Sequence, residues 1–206
     1  MKMINKLATY TVNKMNETIT IDKEKIDFYI YGTELFIITL IKGIGLILIA
    51  SILGLLTEAL IFILAFSILR IQAGGIHANS FWKCFLLTDM ITFTAIYLVY
   101  LIPSNSMLTF QAFFSFFSIL LVLYYAPVES PNKPLTSHEK RIYKDRSCFI
   151  VLIGIVITLT ISWISPYHSM YGLIFSLGFF CEGITLVPAF QRRLYKLKIR
   201  KWRCLD

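Results

Sequence analysis

Six apolar stretches alternate with short polar segments along this chain, at about Leu35–Leu56, Glu58–Leu69, Phe81–Ile102, Leu108–Tyr125, Cys148–Ile164 and Met170–Phe190. About 20 apolar helical residues are needed to cross a hydrocarbon layer of about 30 Å. The second stretch is the short one. Its twelve residues would rise only about 18 Å, so that helix must continue toward Ile76 or meet a thinner bilayer. Pro103-Ser104-Asn105-Ser106 and Ser165-Pro166-Tyr167-His168-Ser169 read as turns, and Ala126–Ser147, with Pro127, Pro131 and Pro134, as the longest loop. Ahead of the first stretch, Ile4, Ala8, Val12 and Met15 recur at helical spacing among charged residues, the pattern of an amphipathic helix on a membrane surface. A weaker pattern, Ile19, Ile26, Tyr29 and Ile30, leads into the first stretch. The expected fold is all-α: a polytopic membrane helix bundle of about six transmembrane segments with an N-terminal amphipathic interfacial helix. It forms one integral membrane domain over residues 1–206, with an amphipathic segment at 1–33, the bundle at 34–190 and a basic tail at 191–206. No internal repeat is visible.

Composition strengthens the membrane reading. The chain is 57% apolar and only 16% charged, with a mean hydropathy of +0.70, whereas soluble domains carry about 25% charged residues. A net charge of +8 could suggest nucleic acid as a partner. The Lys and Arg residues instead cluster beside apolar runs, where they meet anionic lipid headgroups; membrane lipids, and no nucleic acid, are the expected partners. Four Cys without CxxC spacing argue against a disulfide framework or a zinc site, and neither metal nor cofactor is expected. No cleavable leader is expected, because the first apolar run begins only near Leu35. Cys204-Leu205-Asp206 is one residue short of a prenylation box.

Cation placement predicts the topology. With six spans, one side carries the N-terminal segment, Arg70–Lys83, Ala126–Ser147 and the C-terminal tail, which together hold every Lys and Arg except Lys42. The opposite turns, around Thr57, Ser104 and Pro166, hold none. Cytoplasmic loops carry the Lys/Arg excess, so both termini and the Arg70–Cys84 segment are expected in the cytoplasm of a multi-pass cell-membrane protein.

That segment holds the candidate chemistry. His77 and Cys84 are its closely spaced imidazole and thiol, seven residues apart. In one straight helix they would stand about 10 Å apart along the axis, too far to touch. Gly74-Gly75 permits a sharp turn, after which His77 can fold back over a Cys84 held near a helix N-terminus. There the dipole and the imidazole both favour a thiolate. Ser80, Cys84, Thr88 and Thr92 recur every four residues as a small polar stripe that would face the bundle interior. Spacing does not separate this reading from a plainer one, in which Cys84 is a packing residue and His77 an interfacial side chain. Cys148, Cys181, Cys204 and His168 are weaker candidates. Asp89 and Glu182 are acids within spans, functional candidates by default, and an ion pair with Lys42 is expected for one of them.

The run Arg70-x-x-Ala73-Gly74-Gly75-x-His77-Ala78, followed by Cys84, resembles the signature of the accessory gene regulator B (AgrB) family, membrane cysteine endopeptidases of bacterial peptide quorum sensing. Size, amphipathic start and basic cytoplasmic regions are similar over nearly the whole chain. The resemblance implies that Cys84 and His77 are catalytic and that the substrate is an amphipathic propeptide. Cys84 would release its C-terminal tail, hold the rest as a thioester, and let an internal Cys or Ser close a thiolactone or lactone ring. It also implies a homodimer. Arg70 and Lys83 are then candidates for binding carboxylates of an acidic tail, with interfacial anchoring as the alternative. Gln72 and the amides near Gly74 and Gly75 are candidate oxyanion donors. A membrane exporter of a small peptide competes with this reading, on the six spans and on Lys42, Asp89 and Glu182, although neither a P-loop nor an inverted repeat is present. A non-enzymatic scaffold is the third possibility.

Overall fold

A computed structural model of the chain describes residues 2–18, 26–74, 81–128 and 135–188, which form seven α-helices and no strand. Packing divides the chain into two compact units, Met1–Gly54 and Leu55–Asp206.

The first unit holds α1 (Lys2–Thr18) and α2 (Ile26–Ile52), packed against each other. Helix α1 is amphipathic as expected, with Ala8 and Val12 buried, although Met15 is exposed. Helix α2 starts nine residues before the expected Leu35 and ends at Ile52 rather than Leu56, with a turn through Leu53–Leu55. The apolar run marks where lipid contact begins, not where the helix begins. Ile26, Tyr29 and Ile30 form its first turns, and Asp27 there complements the positive end of the helix dipole.

The second unit is a five-helix bundle of α3 (Leu56–Ala73), α4 (Phe81–Tyr100), α5 (Met107–Tyr125), α6 (Ser137–Ile164) and α7 (Ser169–Thr185). The doubtful second span becomes the 18-residue α3, about 27 Å long. The turn expected around Thr57 lies before it, since Thr57 belongs to the helix. Helix α6 corrects the expected loop more substantially: its 28 residues begin at Ser137, so half of Ala126–Ser147 is helical. The Thr136 side chain accepts from the Glu139 N–H at 3.3 Å, and the Glu139 carboxylate accepts from the Thr136 N–H at 2.9 Å. This reciprocal capping box satisfies donors that a helix start leaves unpaired.

Among the described residues four stretches are long and apolar enough to cross a membrane, Gly32–Ile52, Leu56–Ala73, Ser104–Tyr125 and Ser137–Ile164, and Phe85–Tyr100 is a shorter apolar helix. The protein is an all-α membrane helix bundle. Helix α7 packs against α3, α4, α5 and α6 and buries residues on nearly every side, from Ser169 to Gly183. Small residues let its neighbours approach. A Cβ on Gly178 would sit 2.7 Å from the Phe62 carbonyl oxygen and 2.8 Å from the Ala65 Cβ of α3.

Contacts along α7 fix the helix directions. Gly172 meets Gln111, Ser176 meets Ser115 and Gly183 meets Leu121, so α5 and α7 run in parallel. Gly172 meets Ser162 while Phe179 meets Gly154, so α6 runs the other way. Helix α3 runs with α7, and α4 against α3, with the Tyr100 hydroxyl donating to Glu58 at 3.0 Å. The ends of α3, α5 and α7 and the start of α4 therefore share one end of the unit.

Candidate active site

At that end, α3 closes on a polar clamp. Phe66, Leu69 and Ala73 are buried in its last turns, and Arg70 lies between them, 22% exposed. Its Nη1 donates to both Glu182 carboxylate oxygens, at 2.9 and 3.2 Å. The guanidinium carbon also stands 5.6 Å from the centre of the Phe66 ring, a stacking that suits a weakly hydrated planar cation. Glu182 is fully enclosed. An unpaired carboxylate in such a place would cost several kcal/mol of desolvation, roughly the range measured when one partner of a buried pair is removed. The ion pair expected for one of the intramembrane acids thus exists for Glu182, and its cation is Arg70. Asp89 is buried on the inward face of α4, with Thr92, Ala95, Ile96 and Val99.

Three residues beyond Arg70 the helix stops. The Gly74 N–H still donates to the Arg70 carbonyl at 3.0 Å, but its backbone turns to φ 76° and ψ −147°, a region essentially reserved for glycine. The segment after α5 crosses this point. The Val128 N–H donates to the Ala73 carbonyl at 2.8 Å, and a Cβ on Gly74 would stand 2.5 Å from the Val128 carbonyl oxygen. The sharp turn expected at the glycine pair therefore occurs at Gly74, with its first residue pinned by a neighbouring chain segment.

Lys83 and Cys84 occupy the first turn of α4. Their side chains, and Gly75, His77 and Ser80 altogether, lie outside the described residues. Among the nominated residues the structure describes Arg70, Gln72 and Gly74, and Gln72 is half-buried with its Oε1 enclosed. Of the stripe proposed for α4, Thr92 is buried and Thr88 half-buried. Cys148 on α6 and Cys181 on α7 are free thiols, both partly buried.

Glu182 and Val128 were the residues that sequence reasoning did not join to this site. A signal for Glu182 existed. Arg70 stands three residues before the end of α3 and Glu182 three before the end of α7, so in parallel helices they share a depth.

Comparison with known proteins decides the family. The model of the family described as Accessory gene regulator B matches residues 4–186, from α1 to the turn after α7. This chain belongs to that family. It is 28% identical over 201 residues to AgrB-like protein 2 of Clostridium perfringens strain 13, covering 90% of this chain and 92% of that one. AgrB-like protein 1 of the same strain is 31% identical over 167 residues, 79% of this chain and 88% of its own. An AgrB-like protein of Listeria monocytogenes serotype 4a is 28% identical over 173 residues, 84% and 80%. No solved structure matches. Membership of the AgrB family ties this bundle to accessory gene regulator quorum sensing and to the processing of its peptide signal.

Proposed function

We propose that this AgrB-family chain is a membrane-embedded cysteine endopeptidase that trims and cyclises a quorum-sensing propeptide. The observation that carries the reading is the family match over residues 4–186 together with the ordered run Arg70, Gly74, Gly75, His77 and Cys84. The geometry supports it in one respect: α3 ends at Ala73, where Gly74 breaks the helix, and Cys84 lies beyond that break in α4.

In the first step the Cys84 thiolate attacks the carbonyl carbon at the cleavage point. The C–N bond breaks, His77 supplies a proton to the departing amine, and the C-terminal tail leaves. A thioester on Cys84 keeps the acyl group reactive as long as water is excluded, which apolar helix walls favour. An internal Cys thiol or Ser hydroxyl of the peptide then attacks the thioester carbonyl. The ring closes and the Cys84 thiol is released. Gln72 and the amides near Gly74 and Gly75 are our candidates for oxyanion donors, and Lys83 for a carboxylate of the tail. The site and both termini face the cytoplasm in this reading, and a second copy of the chain is the proposed partner in the membrane.

Co-expression with an amphipathic propeptide, followed by mass spectrometry, tests it. Cleaved cyclic product is expected from the native chain, and a loss of about 100-fold or more from both Cys84→Ala and His77→Ala. Full processing by Cys84→Ala would defeat the reading.

A further inference from the structure

We infer that Glu182 is a positioning residue of the reaction, acting through Arg70 on the end of α3. The inference rests on the endopeptidase reading above. Glu182 lies 112 residues from Arg70 in sequence, and both its carboxylate oxygens accept from one guanidinium nitrogen. Arg70 is in turn the residue whose carbonyl accepts from the Gly74 N–H. The chain leaves α3 at that glycine, and His77 follows three residues later. Three residues reach at most about 11 Å, so the position of Gly74 limits where His77 can stand.

The opposite side of the reaction is anchored on the same helices. Cys84 is in the first turn of α4, which packs against α3 and α7. A shift of α3 along α7 would move Gly74, the point from which the chain runs on to His77, relative to α4, which carries Cys84. Several contacts oppose such a shift. Gly178 holds the two backbones in register, Val128 pins Ala73, and the Arg70–Glu182 pair adds a directional, charge-assisted link at the end nearest the chemistry. Apolar contacts slide at small cost, whereas a bridge to both carboxylate oxygens in a buried site does not. Glu182 thereby also commits one guanidinium nitrogen of Arg70, its Nη1, to the bundle.

Steady-state processing of the propeptide by the full chain in proteoliposomes separates these roles. A positioning role predicts that Glu182→Gln lowers kcat by about 10- to 100-fold, the cost of a displacement of about 1 Å, with KM nearly unchanged. Glu182→Asp, which keeps the charge, should recover part of that loss. The rate of Cys84 alkylation by iodoacetamide at pH 7, read from the mass of its peptide without substrate present, should fall in both Glu182→Gln and His77→Ala. If Arg70 instead binds the substrate, Arg70→Lys raises KM, Glu182→Gln leaves Cys84 alkylation at the native rate, and the inference is overturned. Unchanged kcat in Glu182→Gln also overturns it. Should Glu182→Gln fail to fold, Glu182→Asp carries the same two readouts, and native values of both reject the inference. Cys84→Ala is run alongside: if it still processes the peptide, the endopeptidase reading fails, whereas its inactivity beside a fully active Glu182→Gln condemns only the role of Glu182.

Discussion

Gly74 meets two demands that only glycine satisfies together. Its φ of 76° lies where an L side chain is strained, and the Val128 carbonyl occupies the place a Cβ would take. Gly74→Ala should therefore destabilise the protein by roughly 1–3 kcal/mol from backbone strain, and more if Val128 cannot retreat. Thermal unfolding of the purified protein measures their sum, and a native midpoint in Gly74→Ala would contradict both. The turn itself was readable from the glycine pair, because a missing Cβ is a local property. The partner of Glu182 was not. Lys42 and Arg70 were both available cations, and choosing between them requires knowing which helices are parallel and at what depth each charge sits.

Among the elements, α6 departs furthest from expectation. Hydropathy locates Cys148–Ile164 correctly as lipid-like, but a helix is defined by its backbone hydrogen bonds and can run on into water. The signal that would have placed its start was present as Thr136-Ser137-His138-Glu139, a T-x-x-E capping box. Exposed Lys140, Arg141, Lys144 and Arg146 follow on this polar extension. Thr136→Ala should cost about 1 kcal/mol, felt as faster amide exchange over residues 137–140 with no change beyond Cys148. Equal protection in the variant would mean that the cap does not hold this end. Helix α7 makes the complementary point. Its Gly172, Ser176, Gly178 and Gly183 lower its hydropathy, yet it is the helix most enclosed by protein, since small residues are what a central helix needs.

For the whole molecule, the alternating directions of α3 to α7 and the distribution of Lys and Arg make a joint prediction. The turn through Ser104 joins the far ends of α4 and α5, and the start of α6 lies at the end shared with Arg70 and Gly74. With Arg70, Lys140, Arg141, Lys144 and Arg146 at the latter end, that end should face the cytoplasm. Ser104→Cys should react with a membrane-impermeant maleimide in intact cells, and His138→Cys only after the membrane is opened; the reverse pattern would refute the orientation. The exporter reading loses part of its motive, because Glu182 is engaged by Arg70. What the sequence determined by itself was the class of molecule, the approximate spans, the glycine turn and the run ending in Cys84, all of which follow from local hydrophobicity, backbone freedom or residue order. Tertiary structure alone decided that α7 is central, that Val128 lies over Gly74 and that Glu182 holds Arg70. These are matters of which residues reach the same depth, and depth is set only when helix directions and packing distances are fixed together.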